Sequence, residues 1–243
     1  LGGVSNVSNE QVSGLDRNGN RIADVDPAAD LKLNANDQIG SISATAAAIA
    51  NSASITIEND SASRSILSNV QNSYTKPSAS LDAVVAGVDG TVEMTSAAIG
   101  NSLSVDVTGS ANVANRQIQR GGALANAYLS ASDTVGGINA TAAAIGNSAS
   151  MEFATPAASI SDMNNYQRAW GKHNSNLTLD VRNVDSGDAT EQAIESTSAA
   201  IANSLSVSGT GSFSGRNDQL FNGDVRATQT VDIANVTGDV DIT

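Results

Sequence analysis

The stretch DRNGNRIAD, residues 16–24, followed by Val25-Asp26, sets oxygen-bearing side chains at alternate positions. Asp16, Asn18 and Asn20 repeat the D-x-N-x-N spacing of calcium loops, and Asp24 and Asp26 come after them. In a tight loop alternate residues point their oxygens inward, and calcium takes about 6–8 such hard ligands. The spacing predicts a calcium site in which Ile22 anchors the loop to the core and lends its carbonyl. Arg21 stands where glycine is expected, and Asp24 or Asp26 must replace the distal glutamate. The alternative is an Asp/Asn/Gly turn with no ion.

A second cluster, NYQRAWGKHNSN at 165–176, holds the single Trp and the single His of the chain. Arg168, Trp170, Lys172 and His173 form a basic-aromatic island that is suited to a polysaccharide or an acidic neighbour through stacking and cation–π contact. The competing expectation is an inserted loop in which Trp170 covers an edge of the fold. Catalysis finds little to work with. One His allows no Ser-His-Asp set, no glycine-rich phosphate loop is present, and the acids are scattered. The chain reads as a non-enzyme.

Composition narrows the rest. The net charge is −13 and the pI about 4.2, so nucleic acid is a poor partner. No run approaches the roughly 20 apolar residues of a membrane helix, so no membrane insertion is expected. Cysteine is absent and aromatics are 3%, so any core is thin and built from Ala, Val, Ile and Leu. The chain begins with Leu1 and is read as a processed chain or an excerpt of a longer one.

These residues hang on a repeat. AAAIANSASI, SAAIGNSLSV, AAAIGNSASM and SAAIANSLSV recur with their asparagines at Asn51, Asn101, Asn147 and Asn203, intervals of 50, 46 and 56. Before each lies an alternating run that starts at Ile42, Val92, Ile138 or Ile194. A second motif, NVSNEQ at 6–11 and NVANRQ at 112–117, has weaker copies near 69–72, 165–167 and 217–219. Each fifty-residue period therefore has two halves, each of strand–turn–strand size. The expected divisions are a partial 1–38, then 39–90, 91–137, 138–193 and 194–243, a single array. Alanine-rich runs also suit helices, but runs of 4–6 residues flanked by Ser, Thr, Val and Ile are too short to stand alone. Alternation favours an all-β fold, a β-solenoid or stacked β-arches about 4.8 Å apart. Stacked amides then form ladders, with Asn51, Asn101, Asn147 and Asn203 in one column at a turn.

The pattern NxxNxQ…AxLxAS followed by AIGNSxSV resembles curlin-type repeats, and more closely the alphaproteobacterial holdfast-anchor adhesins. The loop at 16–24 separately resembles dockerin-like and thrombospondin-repeat-like calcium motifs. The adhesin resemblance implies secretion to the cell exterior, surface attachment and assembly into fibres. With no cap evident at either end, the expectation is a head-to-tail homopolymer whose subunit contacts are Leu1, Val4 and Val7 against Val236, Val240 and Ile242. The competing reading is a monomeric repeat segment of a large adhesin that binds polysaccharide.

Overall fold

The computed structural model describes residues 6–16, 18–22, 25–58, 64–155, 160–185 and 192–243. Among them there are strands and no helix. Leu1, Val4 and Asp24 of the expected sites lie outside the described residues.

Every period makes one flattened coil with two long sides. The AIGNS half forms one side as β3 (Ile42–Glu58), β6 (Val92–Thr108), β9 (Ile138–Ala154) and β11 (Gln192–Thr210), with the short β13 (Asp239–Ile242) beginning the next rung. These strands are parallel neighbours in one sheet, here the narrow sheet. The other half forms the broad sheet. Its rungs are β1 (Asn6–Ser13) with β2 (Ala28–Ile39), β4 (Arg64–Ser73) with β5 (Ser78–Asp89), and β7 (Ser110–Gln119) with β8 (Ala123–Val135). The last two rungs are the unbroken 26-residue β10 (Ile160–Asp185) and β12 (Ser212–Thr237). All these pairings are parallel, and repeat units stack in register: Ile49, Ile99, Ile145 and Ile201 share one column. The four alanine-isoleucine segments lie over one another, as a solenoid requires.

Two expectations change here. The AIGNS half is one continuous strand of 17 residues in β3, β6 and β9, with no turn at Gly-Asn. What Gly100-Asn101 does is shift the phase of alternation. Positions 92, 94, 96, 98 and 100 face inward, and then 101, 103, 105 and 107 do. Two successive inward residues are the mark of a bulge, which re-aims the strand without ending it. Residues 165–176, expected as an inserted loop, lie within β10.

The real turns lie elsewhere. One corner is a column of left-handed residues, Asp37, Gly87, Asp133, Asn183 and Asn235, with φ between 51° and 61°. Asn and Asp tolerate this conformation better than other side chains. Asn183 Nδ2 donates to Asp133 Oδ1 at 2.9 Å and Asn235 Nδ2 to Asn183 Oδ1 at 3.0 Å, so the corner is tied along the axis.

Between the sheets, among the described residues, run a narrow alanine strip with Ala98, Ala125 and Ala144 and two apolar strips of larger side chains. One holds Leu81, Leu129, Leu177, Val92, Ile138 and Ile194. The other holds Leu67, Val113, Leu103, Val105, Met151 and Phe153. Side chains of differing size pile up in each, Met94 beside Ala44 and Phe153 beside Val107, so a thin cross-section is repeated rather than a thick core built.

Candidate functional site: a buried amide belt and a basic-aromatic face

Stacked amides lie between the two strips. In the narrow sheet Asn51 Nδ2 donates to Asn101 Oδ1 at 2.8 Å, Asn101 to Asn147 at 2.7 Å and Asn147 to Asn203 at 2.7 Å. The column sits in mid-strand, not at a turn, because the bulge turns each asparagine into the interior; Asn101 and Asn147 have no exposure. The second amide hydrogen crosses to the broad sheet: Asn101, Asn147 and Asn203 donate to the carbonyls of Ile118, Arg168 and Leu220 at 2.8–3.0 Å.

The broad sheet answers with two columns of its own. Asn9 donates to Asn69, Asn69 to Asn115, Asn115 to Asn165 and Asn165 to Asn217, at 2.6–2.8 Å. The glutamine column runs the other way. Gln71 donates to Gln11, Gln117 to Gln71, Gln167 to Gln117 and Gln219 to Gln167. Gln11, Gln71, Gln117 and Gln167 also donate across to the carbonyls of Ser52, Ser102, Ser148 and Ser204 at 2.8–2.9 Å. The belt thus stitches rung to rung and sheet to sheet. Each bond contributes about 0.5–1.5 kcal/mol net, whereas an orphaned buried amide costs about 1–3 kcal/mol. The repeat pattern foretold the first column. The NxQ motif carried the signal for the other two.

The glycines of the motif make room inside. Gly100 and Gly146 do not have positive φ. A Cβ on Gly100 would lie 2.4 Å from the Gln119 side chain, and one on Gly146 would lie 2.4 Å from the Ala202 carbonyl oxygen and 2.8 Å from the His173 ring.

His173 therefore leaves the expected ligand patch. It is fully buried, faces the interior and stacks obliquely on Phe221. Neither ring nitrogen has a hydrogen-bond partner among the described residues. Burial pulls its pKa down to about 4, so the ring is neutral.

The outward residues of the same region form a larger patch than the sequence suggested. Arg120 lies between the rings of Tyr74 and Trp170, 5.1 and 5.2 Å from their centroids. Arg168 lies 4.8 Å from the Tyr166 ring and Arg116 6.0 Å from it. Lys76 and Lys172 extend the same three rungs outward, and both are exposed. Segments 68–76, 114–122 and 164–172 contain no Asp or Glu, in a chain with 25 of them. The ion pairs found among the described residues, Arg64–Asp162 and Arg182 with Asp180 and Asp232, lie outside this patch. A groove runs along the axis beside it, lined by Ser68, Asn69, Asn115, Arg116, Asn164 and Tyr166 among others. The patch offers guanidinium and ammonium groups to an anion.

In the loop expected to hold calcium, the described residues close an Asx turn at Asp16. Asp16 Oδ1 accepts from the backbone N–H groups of Asn18 and Asn20, each at 2.8 Å, and Oδ2 accepts from Asn20 Nδ2 at 3.1 Å. These donors hold the Asp16 pKa below the usual carboxylate value. Asp26 turns away and accepts from the Lys76 N–H at 2.8 Å. Ile22 is 41% exposed and so does not anchor the loop to the core. The structure brings Asp16, Asn18 and Asn20 together and leaves Asp26 apart.

The expected subunit contacts split as well. Val7 is in β1 and Val236 at the end of β12, both in the broad sheet; Val240 and Ile242 are in β13 of the narrow sheet, paired with the start of β11. The C-terminal VDIT strand and β1 occupy different layers, so one cannot lie over the other in a continued coil.

Set against known families, the family model described as HfaD, holdfast attachment protein D, matches residues 19–161 and again 86–243. The chain belongs to the holdfast attachment protein D family. One model that fits two overlapping windows is what a repeated unit allows. Membership implies a role in holdfast attachment, an adhesion function, and with it a place at or outside the cell surface. No curated protein and no solved structure matches the chain.

Proposed function

We propose that this holdfast attachment protein is an extracellular structural unit whose copies join end to end into a fibre, as the curlin-like pattern of its repeats would suit. The observation that carries the reading is the polarity of the amide columns. At the first rung Asn9 offers an acceptor oxygen and Gln11 a spare N–H; at the last rung Asn217 offers a spare N–H and Gln219 an acceptor oxygen. Last rung on first rung matches donor to acceptor in both columns. First on first, or last on last, needs a two-fold axis across the solenoid, which runs the strands antiparallel and lays asparagine over glutamine, so only last on first continues the parallel pairing and the columns of like residues. The contact is head to tail and does not close on itself, so it propagates.

Among the described residues, β1 and β2 at one side of the stack and β12 and β13 at the other each pair with a single neighbouring rung, and apolar side chains stand exposed there. Val12 and Ile39 are 47% and 95% exposed at one end, and Phe213, Leu220 and Val240 are 43–50% exposed at the other. Natural solenoids usually cover such edges. The joint rests on the broad sheet, β12 against β1 and β2, since β13 covers just the start of β11.

The test is an end-blocked variant, Asn217→Asp with Gln219→Lys. Each new side chain keeps its bond to the rung below and loses the one the joint needs. Wild-type protein should form filaments by electron microscopy, and the variant should raise the concentration for assembly at least tenfold. Filaments from the variant at the wild-type concentration would refute the joint.

A second reading has its own support, namely the acid-free basic-aromatic face. It suits an acidic polysaccharide, held by Arg116, Arg120 and Arg168 through charge-assisted hydrogen bonds. Binding of alginate should weaken about tenfold or more in Arg116→Ala/Arg120→Ala, and neutral dextran should not bind. Equal retention of both polymers would dismiss it.

A further inference from the structure

The outward face of the narrow sheet is repeated more faithfully than its interior. From strand to strand the outward columns read Thr45, Thr95, Thr141, Thr197; then Ala47, Ala97, Ala143, Ala199; then Ile49, Ile99, Ile145, Ile201. After the bulge come four serines from Ser52 to Ser204, and four more from Ser54 to Ser206. Within each of these five columns every residue is the same. Most inward columns of the same strands vary: Ala44, Met94, Ala140 and Ser196 share one, and Ile57, Val107, Phe153 and Gly209 another, while the Ala48 and Asn51 columns are uniform. The outer face of the broad sheet varies too, as in Val70, Arg116, Tyr166 and Asp218.

Packing explains uniform interiors, not uniform exteriors. Local propensity does not explain this one either, because alanine is depleted in strands and an outward isoleucine gains little from water. A partner that reads the face with the same axial repeat would explain it. We propose that this partner is a second copy of the chain, laid face to face on the narrow sheet.

Three features favour that occupant. First, the periodicity matches by construction, since a second copy has the same rung spacing. Second, the shape is self-complementary. The isoleucine column is a ridge and the alanine column beside it a furrow. A two-fold axis parallel to the solenoid axis seats the isoleucines of each copy on the alanines of the other. The same operation sets the Thr45 column against the Ser52 column, with hydroxyls in reach of hydroxyls. It also sets the column of Ser43, Glu93, Asn139 and Glu195 against the Ser54 column, so no acidic column faces another. Each copy thus offers the other the same surface, and the packing is that of a dry zipper. Third, the twenty residues of the five columns include no charge, in a chain of net charge −13. Four rungs over ten residues span about 600 Å² per copy by strand geometry. The pair buries about 1,200 Å², the lower limit of a stable interface. End-to-end joining would multiply that area, but the pairing does not depend on it.

The experiment isolates the face by using the end-blocked variant. Analytical ultracentrifugation over a concentration series should show a monomer–dimer equilibrium that tightens with added salt, because the two bodies are both acidic. Ala97→Glu/Ala143→Glu should weaken the dimer at least tenfold with an unchanged circular dichroism spectrum, and Ser80→Glu/Ser130→Glu on the broad sheet should leave it intact. In the unblocked protein, filaments should be two solenoids wide, and one wide with Ala97→Glu/Ala143→Glu. A monomer at all concentrations and salts, or a dimer indifferent to the two glutamates, overturns the pairing. Single-width wild-type filaments beside a monomeric end-blocked variant would remove the face pairing and leave the end joint standing. Filaments that survive the end block would do the reverse, with their width still reporting on the face.

Discussion

His173 is the one titratable group buried in the belt, and it lacks partners on both nitrogens among the described residues. Its folded pKa of about 4 lies below the ordinary value of 6.5. Below pH 6.5 the unfolded chain takes up a proton that the folded chain refuses until about pH 4. Stability therefore falls as the pH drops through that window, by up to about 3 kcal/mol at about 1.4 kcal/mol per unit. His173→Leu should remove this slope. Urea denaturation of both proteins at pH 7.5 and 4.5 checks it: the variant gains on the wild type as the pH falls. A parallel fall in the two would assign the acid sensitivity to other groups. The sequence offered His173 beside Trp170, Arg168 and Lys172 as one exposed island. Alternation inside β10 separates them, because positions 168, 170 and 172 point outward and 173, just past Gly171 with its φ of 90°, points in.

At the scale of the strand, the Gly-Asn step decides how the narrow sheet is built. It was legible as an interruption, and an interruption in an alternating run reads naturally as a turn. A bulge gives the same local signature and differs only in the residues beyond it, which here continue the strand. Gly146→Ala tests how tightly the bulge is packed. Its Cβ would meet the Ala202 carbonyl, which is backbone and cannot step aside, as well as the His173 ring. A loss of about 2–3 kcal/mol is expected, in the range of overpacked cores. Pairing it with His173→Ala should recover little, because the Ala202 clash stays. Full rescue by that second change would make the imidazole the sole obstacle. Register itself was legible: the spacing of Asn51, Asn101, Asn147 and Asn203 is enough to align the rungs.

For the whole molecule, the repeat carried the all-β stacked fold, because a unit that recurs with its polar residues fixed must stack on itself. What it did not carry was the flattened two-sided coil, with two halves of each period on opposite sheets. Nothing in the sequence of the two halves says whether they lie beside or across from one another. The same ambiguity sent the VDIT strand toward β1, a layer it does not share. The basic-aromatic face was half legible. Arg168, Trp170 and Lys172 adjoin in sequence, but Tyr74, Arg116 and Arg120 join them only once the rungs are aligned.

The opposed running of the asparagine and glutamine columns bears on how long such an assembly can become. A row of carboxamides all pointing one way is a chain of small electric dipoles, and its field grows at the tips as it lengthens, like that of a helix. In the broad sheet a second row beside it points back. Those two fields largely offset, and the field that grows with each added rung is left to the single asparagine row of the narrow sheet.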